Sequence, residues 1–161
     1  MVLGTPLGRA LFPRRGEINV GTTMKTETAL RIGADGTVER VALHVDAHGS
    51  CGGSLRELIG CRLFEVISLD EGVDAWVDEE ALVTLDLDDP AAVAAAVNVV
   101  GSLVVGRRVG VPLGSPLLGS VVLTGRRGER TVGLDRVELE RLECLAVAAS
   151  LVVGAAAGDR G

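Results

Sequence analysis

The segment Leu63-Phe64-Glu65-Val66-Ile67-Ser68-Leu69-Asp70-Glu71-Gly72-Val73-Asp74-Ala75-Trp76-Val77-Asp78 decides the fold. Leu63 to Leu69 reads as a strand, because β-branched and aromatic residues are dense there. Asp70-Glu71-Gly72 is a turn, with glycine free to take positive φ. Val73 to Asp78 is a second strand, in which Val73, Ala75 and Val77 alternate with Asp74, Trp76 and Asp78. The unit is a strand–turn–strand ribbon. Trp76, the chain's single tryptophan, belongs to the carboxylate face rather than the small apolar one.

Working outward, the ribbon sits in a stretch from Leu63 to Gly106 without lysine or arginine. Some of its acidity is local: Asp70 and Glu71 suit the turn, and Asp89 before Pro90 suits a helix start as N-cap and N1. Asp74, Trp76, Asp78, Glu79 and Glu80 remain, and are the candidate partner-binding patch. Carboxylates without internal counter-charge form a solvated face or meet something positive. Beyond them, Ala91 to Val100 reads as helix. Asn98 to Val109 fits a helix period as well as a buried strand, and Gly110 to Pro116 reads as loop. Ser120 to Thr124 is a further buried strand, followed by a basic turn at Gly125 to Gly128. Asp135 caps a last helix with Glu138 at its third position, and Leu134 is placed to staple to Leu139. That helix is predicted to run to about Val153.

Towards the N-terminus, Leu30 and Ile32 share one face and Val41, Leu43 and Val45 share another. An Asp35-Gly36 pair between the two runs signals a β-hairpin. Ser54-Leu55-Arg56-Glu57 has the form of a capping box, opening a short helix that Gly60 ends. These readings predict a small α+β domain. Its mixed or antiparallel sheet comes from two hairpins and a further strand, and two to four helices pack on it. Residues 24–154 are the domain, 1–23 an N-terminal extension and 155–161 a tail. The glycines and prolines of 1–23 mark a flexible extension, with a basic arm of Arg9, Arg14 and Arg15 as its functional alternative, and Met24 stands as an alternative start.

Composition removes several functions. The chain has 161 residues, a formal net charge of −6 and 2% aromatic residues. Direct binding to nucleic acid is disfavoured, because it needs clustered Lys and Arg or a stacking platform. Cys51, Cys61 and Cys144 make no disulfide framework, which suits a reducing cytoplasm. The apolar run from Cys144 to Ala157 falls short of the ~20 residues of a membrane span.

Two constellations carry possible chemistry. His44, Asp46 and His48 would share one face of a strand and could hold Zn²⁺ or Fe²⁺, with Cys51 close in sequence. Gly49-Ser50-Cys51-Gly52-Gly53-Ser54 runs into a helix N-terminus, where free amides can hold an anion. No lysine follows in the P-loop position, and Cys51 has no evident base and orienting group. No motif names a cofactor.

Leu55-Arg56-Glu57-Leu58-Ile59-Gly60, Phe64-Glu65-Val66-Ile67 and Val73-Asp74-Ala75-Trp76-Val77-Asp78-Glu79-Glu80 together resemble a family of small bacterial and bacteriophage proteins classed as a domain of unknown function. Asn98, opening a helix, and the strand Gly119-Ser120-Val121-Val122-Leu123-Thr124-Gly125 extend the resemblance from about Thr28 to Leu142. It implies a small α+β fold in a phage or mobile-element setting, and no activity. The leading expectation is a non-enzymatic interaction protein that self-associates through its apolar C-terminal helix as a homo-oligomer. The alternatives are an acidic nucleic-acid mimic that occupies a basic DNA- or RNA-binding protein, and a metal- or nucleotide-binding module at His44–Ser54.

Overall fold

The computed structural model describes residues 24–159; the expected extension at 1–23 and the end of the expected tail lie outside them. The first hairpin is β1 (Lys25–Ile32) and β2 (Val38–Val45), antiparallel with Leu30 opposite Arg40. Gly36 turns it at φ 85°. α1 (Gly52–Ile59) follows and ends at Gly60 in the left-handed region, as read. β3 (Phe64–Ser68) and β4 (Val73–Asp78) are the central ribbon, joined by a 3-10 turn at Asp70–Gly72. Then come α2 (Ala81–Thr84), α3 (Pro90–Ala96), β5 (Val97–Asn98), α4 (Val99–Val109), β6 (Leu117–Leu118), β7 (Val121–Arg127), β8 (Arg130–Val132) and α5 (Arg136–Gly158).

The predicted α+β class is the one observed, and every strand pair is antiparallel. The main sheet runs β2-β1-β7-β4-β3, with β8 pairing β7 beyond the end of the β1 contact. β7, read from Val121, Val122 and Leu123 as a buried strand, is thus the centre that joins the two hairpins.

Alternation along these strands sends side chains to two cores. One face, with Leu30, Ile32, Val73, Ala75, Val77, Val121 and Leu123, is covered by Val100, Val104 and Val105 of α4 and Leu139, Leu142, Ala146 and Ala149 of α5. The other, with Ala29, Leu43 and Val122, is covered by Leu55 and Ile59 of α1. Arg31 ties α1 to the sheet: it donates to Leu58 O at 2.8 Å and Ser120 Oγ at 2.9 Å, and pairs with Glu39 at 2.7 Å.

Several local readings need correction. Ser54 does not cap α1. The helix begins at Gly52, and the Ser54 hydroxyl accepts the His44 backbone N–H at 3.1 Å, stapling α1 to β2. Residues 91–100 are not one helix. Asn98, fully buried, interrupts it by donating to Ile32 O (2.9 Å) and Gly119 O (2.8 Å), while its Oδ1 accepts Gly101 N–H (2.8 Å) as N-cap of α4. The turn placed at Gly125–Gly128 lies later, between Arg127 and Arg130 with Gly128 at φ 62°. Gly125 stays within β7, paired with Val73 and Val132, and a Cβ there would lie 2.5 Å from Gly133 O. β8, α2 and the small β5–β6 pair had no counterpart in the sequence reading. α5 continues past Val153 to Gly158.

Candidate interaction surface

α5 changes character along its length. Asp135 caps it, accepting Glu138 N–H at 2.8 Å, and Leu134 and Leu139 enter the same core, as the staple required. Leu139, Leu142, Ala146 and Ala149 form a stripe at helical spacing against the sheet. The flanks of this first half are charged. Arg40 forks onto Glu143 at 2.6 and 2.7 Å, and Arg108 of α4 meets Glu138 at 2.6 Å and Asp70 at 2.9 Å. The bidentate Arg40 contact holds the Glu143 carboxyl below the usual glutamate range.

The second half carries no charge between Glu143 and Asp159. Val147 is 55% exposed, Leu151 70% and Val152 63%. α4 exposes Val99 and Leu103, at 44% and 43%, beside Val152. Val99, Leu103, Val152, Val153, Ala156 and Ala157 line one open apolar groove of about 490 Å³. Single apolar side chains in water are routine, whereas a contiguous set on two adjacent helices makes a candidate contact surface. The sequence pointed to α5 but not to Val99 and Leu103, whose exposure depends on how α4 packs. By length and composition α5 also reaches a membrane-spanning helix, at 23 residues against the shorter run expected. Its first half, however, is charged on its flanks and packed on the sheet.

The five residues of the acidic patch are placed differently from one another. Asp74 is buried and pairs with Arg126 of β7, a partner 52 positions away that no local pattern selects. Trp76 is half-buried under α1. Its indole N–H donates to Thr124 Oγ1 at 2.8 Å, and its ring meets Phe64 edge-on at 5.3 Å between centroids. Asp78 accepts the Glu80 backbone N–H at 2.9 Å. Glu80 pairs with Arg62 at 2.6 Å, a hydrogen bond that lowers its carboxyl pKa. Glu79 is exposed. The alternation read from the sequence is correct. The face it defines is roofed by α1, so Asp74 and Trp76 serve the interior and only the far end of β4 opens to solvent.

The His44–Ser54 segment does not bring its donors together. Asp46 lies past the end of β2 and closes a turn, its Oδ1 accepting the His48 and Ser50 N–H groups at 2.9 Å each. These bonds, Ser50 foremost, hold its carboxyl below the ordinary aspartate range. His44 Nδ1 lies 3.3 Å from Thr26 Oγ1, and His48 is exposed. The shared face ends because β2 stops at Val45 and a turn closes at Asp46, where Gly49 N–H donates to Asp46 O at 3.0 Å. Among the described residues no three His, Cys, Asp or Glu side chains are placed to hold a metal ion. Cys51 is buried at the start of α1, and burial pushes its thiol pKa up, away from thiolate character.

No known family description matches the chain, and no curated protein does. In fold it is similar to part of a crystal structure of the small RNA methyltransferase HEN1, with a TM-score of 0.51 at 13% identity. The match covers 76% of this chain and 16% of that one, so this chain spans about a sixth of the length of that protein. At that identity the likeness is one of fold alone.

Proposed function

We propose that this protein is a small, non-enzymatic interaction module that self-associates through the second half of α5 and the adjoining face of α4. The observation that carries the reading is the open apolar groove that Val99 and Leu103 of α4 form with Val152, Val153, Ala156 and Ala157 of α5, without a charged side chain in its wall, on a helix half that also exposes Val147 and Leu151. A second copy of the same helix supplies a matching apolar surface, and Gly154, Ala155, Ala156 and Ala157 permit close approach of two helix backbones. Covering one exposed Leu or Val side chain is worth about 1.5–3 kcal/mol. Several on each side can offset the ~4–15 kcal/mol lost in association. Multi-angle light scattering along a dilution series tests the reading. A mass that falls from an oligomer towards a single chain on dilution supports it; a single-chain mass at every concentration ends it.

A further inference from the structure

A second surface lies at the opposite edge of the sheet, independent of the α5 face. Val77 of β4 and Glu65 of β3, paired in register, form the floor and wall of a cleft of about 430 Å³. Leu82 and Leu85 from the α2 segment and Leu117 and Leu118 of β6 continue its apolar lining. Leu82 is 62% exposed at its mouth. Glu65, Asp78 and Glu79 stand along the same cleft, and none forms an ion pair among the described residues. Arg62, just before β3 in the chain, is engaged by Glu80. β3 is also an edge strand: β4 pairs one side of it, and among the described residues no strand pairs the other.

We propose that this cleft is a docking site for an extended, basic polypeptide segment of a partner protein. Three properties converge on that chemistry. An open strand edge offers backbone hydrogen bonds to an added strand. In such a strand alternate side chains point to the Glu65 face, over the apolar floor, so apolar residues belong at alternate positions. The carboxylates along the rim require Arg or Lys at the segment's ends, and their uncompensated field draws a cationic segment in and repels an anionic one.

The test uses the full-length protein and the fluorescein-labelled peptide Arg-Thr-Val-Thr-Leu-Thr-Arg, whose Arg, Val and Leu share one strand face, read by fluorescence anisotropy. Three controls are the same peptide with Glu for Arg, the same peptide with Ser for its apolar residues, and a rise in NaCl from about 0.05 M to about 0.5 M. The protein variants are Glu65→Lys/Glu79→Lys and Leu82→Ser. All three positions are exposed, so circular dichroism and the unfolding midpoint should match the parent. The site requires saturable binding, roughly 10-fold weaker or more in the double charge variant and in high salt, several-fold weaker in Leu82→Ser, and lost for both altered peptides. Binding that survives Glu65→Lys/Glu79→Lys unchanged, or an acidic peptide that binds as well as the basic one, overturns the proposal. So does failure of the basic peptide to bind. Light-scattering mass is read alongside, so a defect in self-association cannot be mistaken for a defect in this cleft.

Discussion

Asn98→Ala should be among the most damaging single changes in the domain, and its cost can be built from the contacts. The carboxamide makes three hydrogen bonds at 2.8–2.9 Å, to Ile32 O, Gly119 O and Gly101 N, and it is fully inaccessible. Removing it strands two groups in buried surroundings, the Ile32 carbonyl and the Gly101 N–H, at about 1–3 kcal/mol each. The Gly119 carbonyl is partly buried and adds about 1 kcal/mol. The Gly101 bond is also the N-cap bond of α4, so no separate capping cost is added. A water entering the vacated space recovers part of the loss. The sum is about 3–5 kcal/mol, a large share of the ~5–15 kcal/mol that holds a domain of this size. Asn98→Asp should cost at least as much, since it sets a carboxylate oxygen against two carbonyls. The assay is urea unfolding followed by Trp76 fluorescence, the chain's one indole, with the m-value checked for constancy. A loss below about 1 kcal/mol at unchanged m would refute the reasoning, because buried orphans of this kind cannot be that cheap.

Other substitutions and conditions test separate contacts. Arg126→Ala strands the buried Asp74 carboxylate and should cost about 2–3 kcal/mol by the same assay, while Arg126→Ala/Asp74→Ala should recover much of it. Gly101→Ala would ordinarily stabilise a helix by about 1 kcal/mol, but here its Cβ would lie 2.8 Å from Asn98 Oδ1 and 3.0 Å from Val121 Cγ2, so the unfolding midpoint should fall instead. Glu27, Asp46 and Glu143 have folded-state pKa values below their ordinary ones, through the Lys25 hydrogen bond, the Ser50 backbone N–H and the Arg40 fork respectively. Their contribution is therefore complete above an unfolded value of about 4 and is lost as pH falls through the lower folded values. Urea midpoints should hold steady from neutrality to about pH 5 and drop below about pH 4. In Glu143→Gln that acid drop should be shallower.

What the sequence made legible was whatever a local rule governs. The β3–β4 ribbon, the Asp-Gly hairpin, the Gly60 stop and the Asp89 and Asp135 caps all follow from interactions within a few residues of chain, and all are present. The errors arose where a distant partner decided the outcome. Ser54 has the spacing of a cap, yet the β2 backbone claims its hydroxyl. An Ala-rich helix is broken at Val97–Asn98 because Asn98 is drawn to Ile32 and Gly119, far away in sequence. Gly125 looked like a turn glycine and is a packing glycine, pressed by Gly133. The acidic patch shows the same limit. Alternation placed Asp74 and Trp76 together correctly, but only the tertiary structure says that α1 covers that face and that Arg126 neutralises Asp74. Of the surface proposed for self-association, α5 was legible from its uncharged run, while Val99 and Leu103 were not, because a helix or a buried strand would both have suited their period.

Self-association through α5 is the central claim, and sedimentation equilibrium of the parent beside Leu151→Glu/Val152→Glu addresses it most directly. Both positions are exposed, so the variant should keep the parent's circular dichroism and urea midpoint within about 0.5 kcal/mol. The parent should then fit a reversible oligomer, and the variant, carrying two charges into the apolar contact, should sediment as a single chain across the same concentrations. A parent that sediments as a single chain throughout, or a variant that associates as strongly as the parent, would contradict the claim.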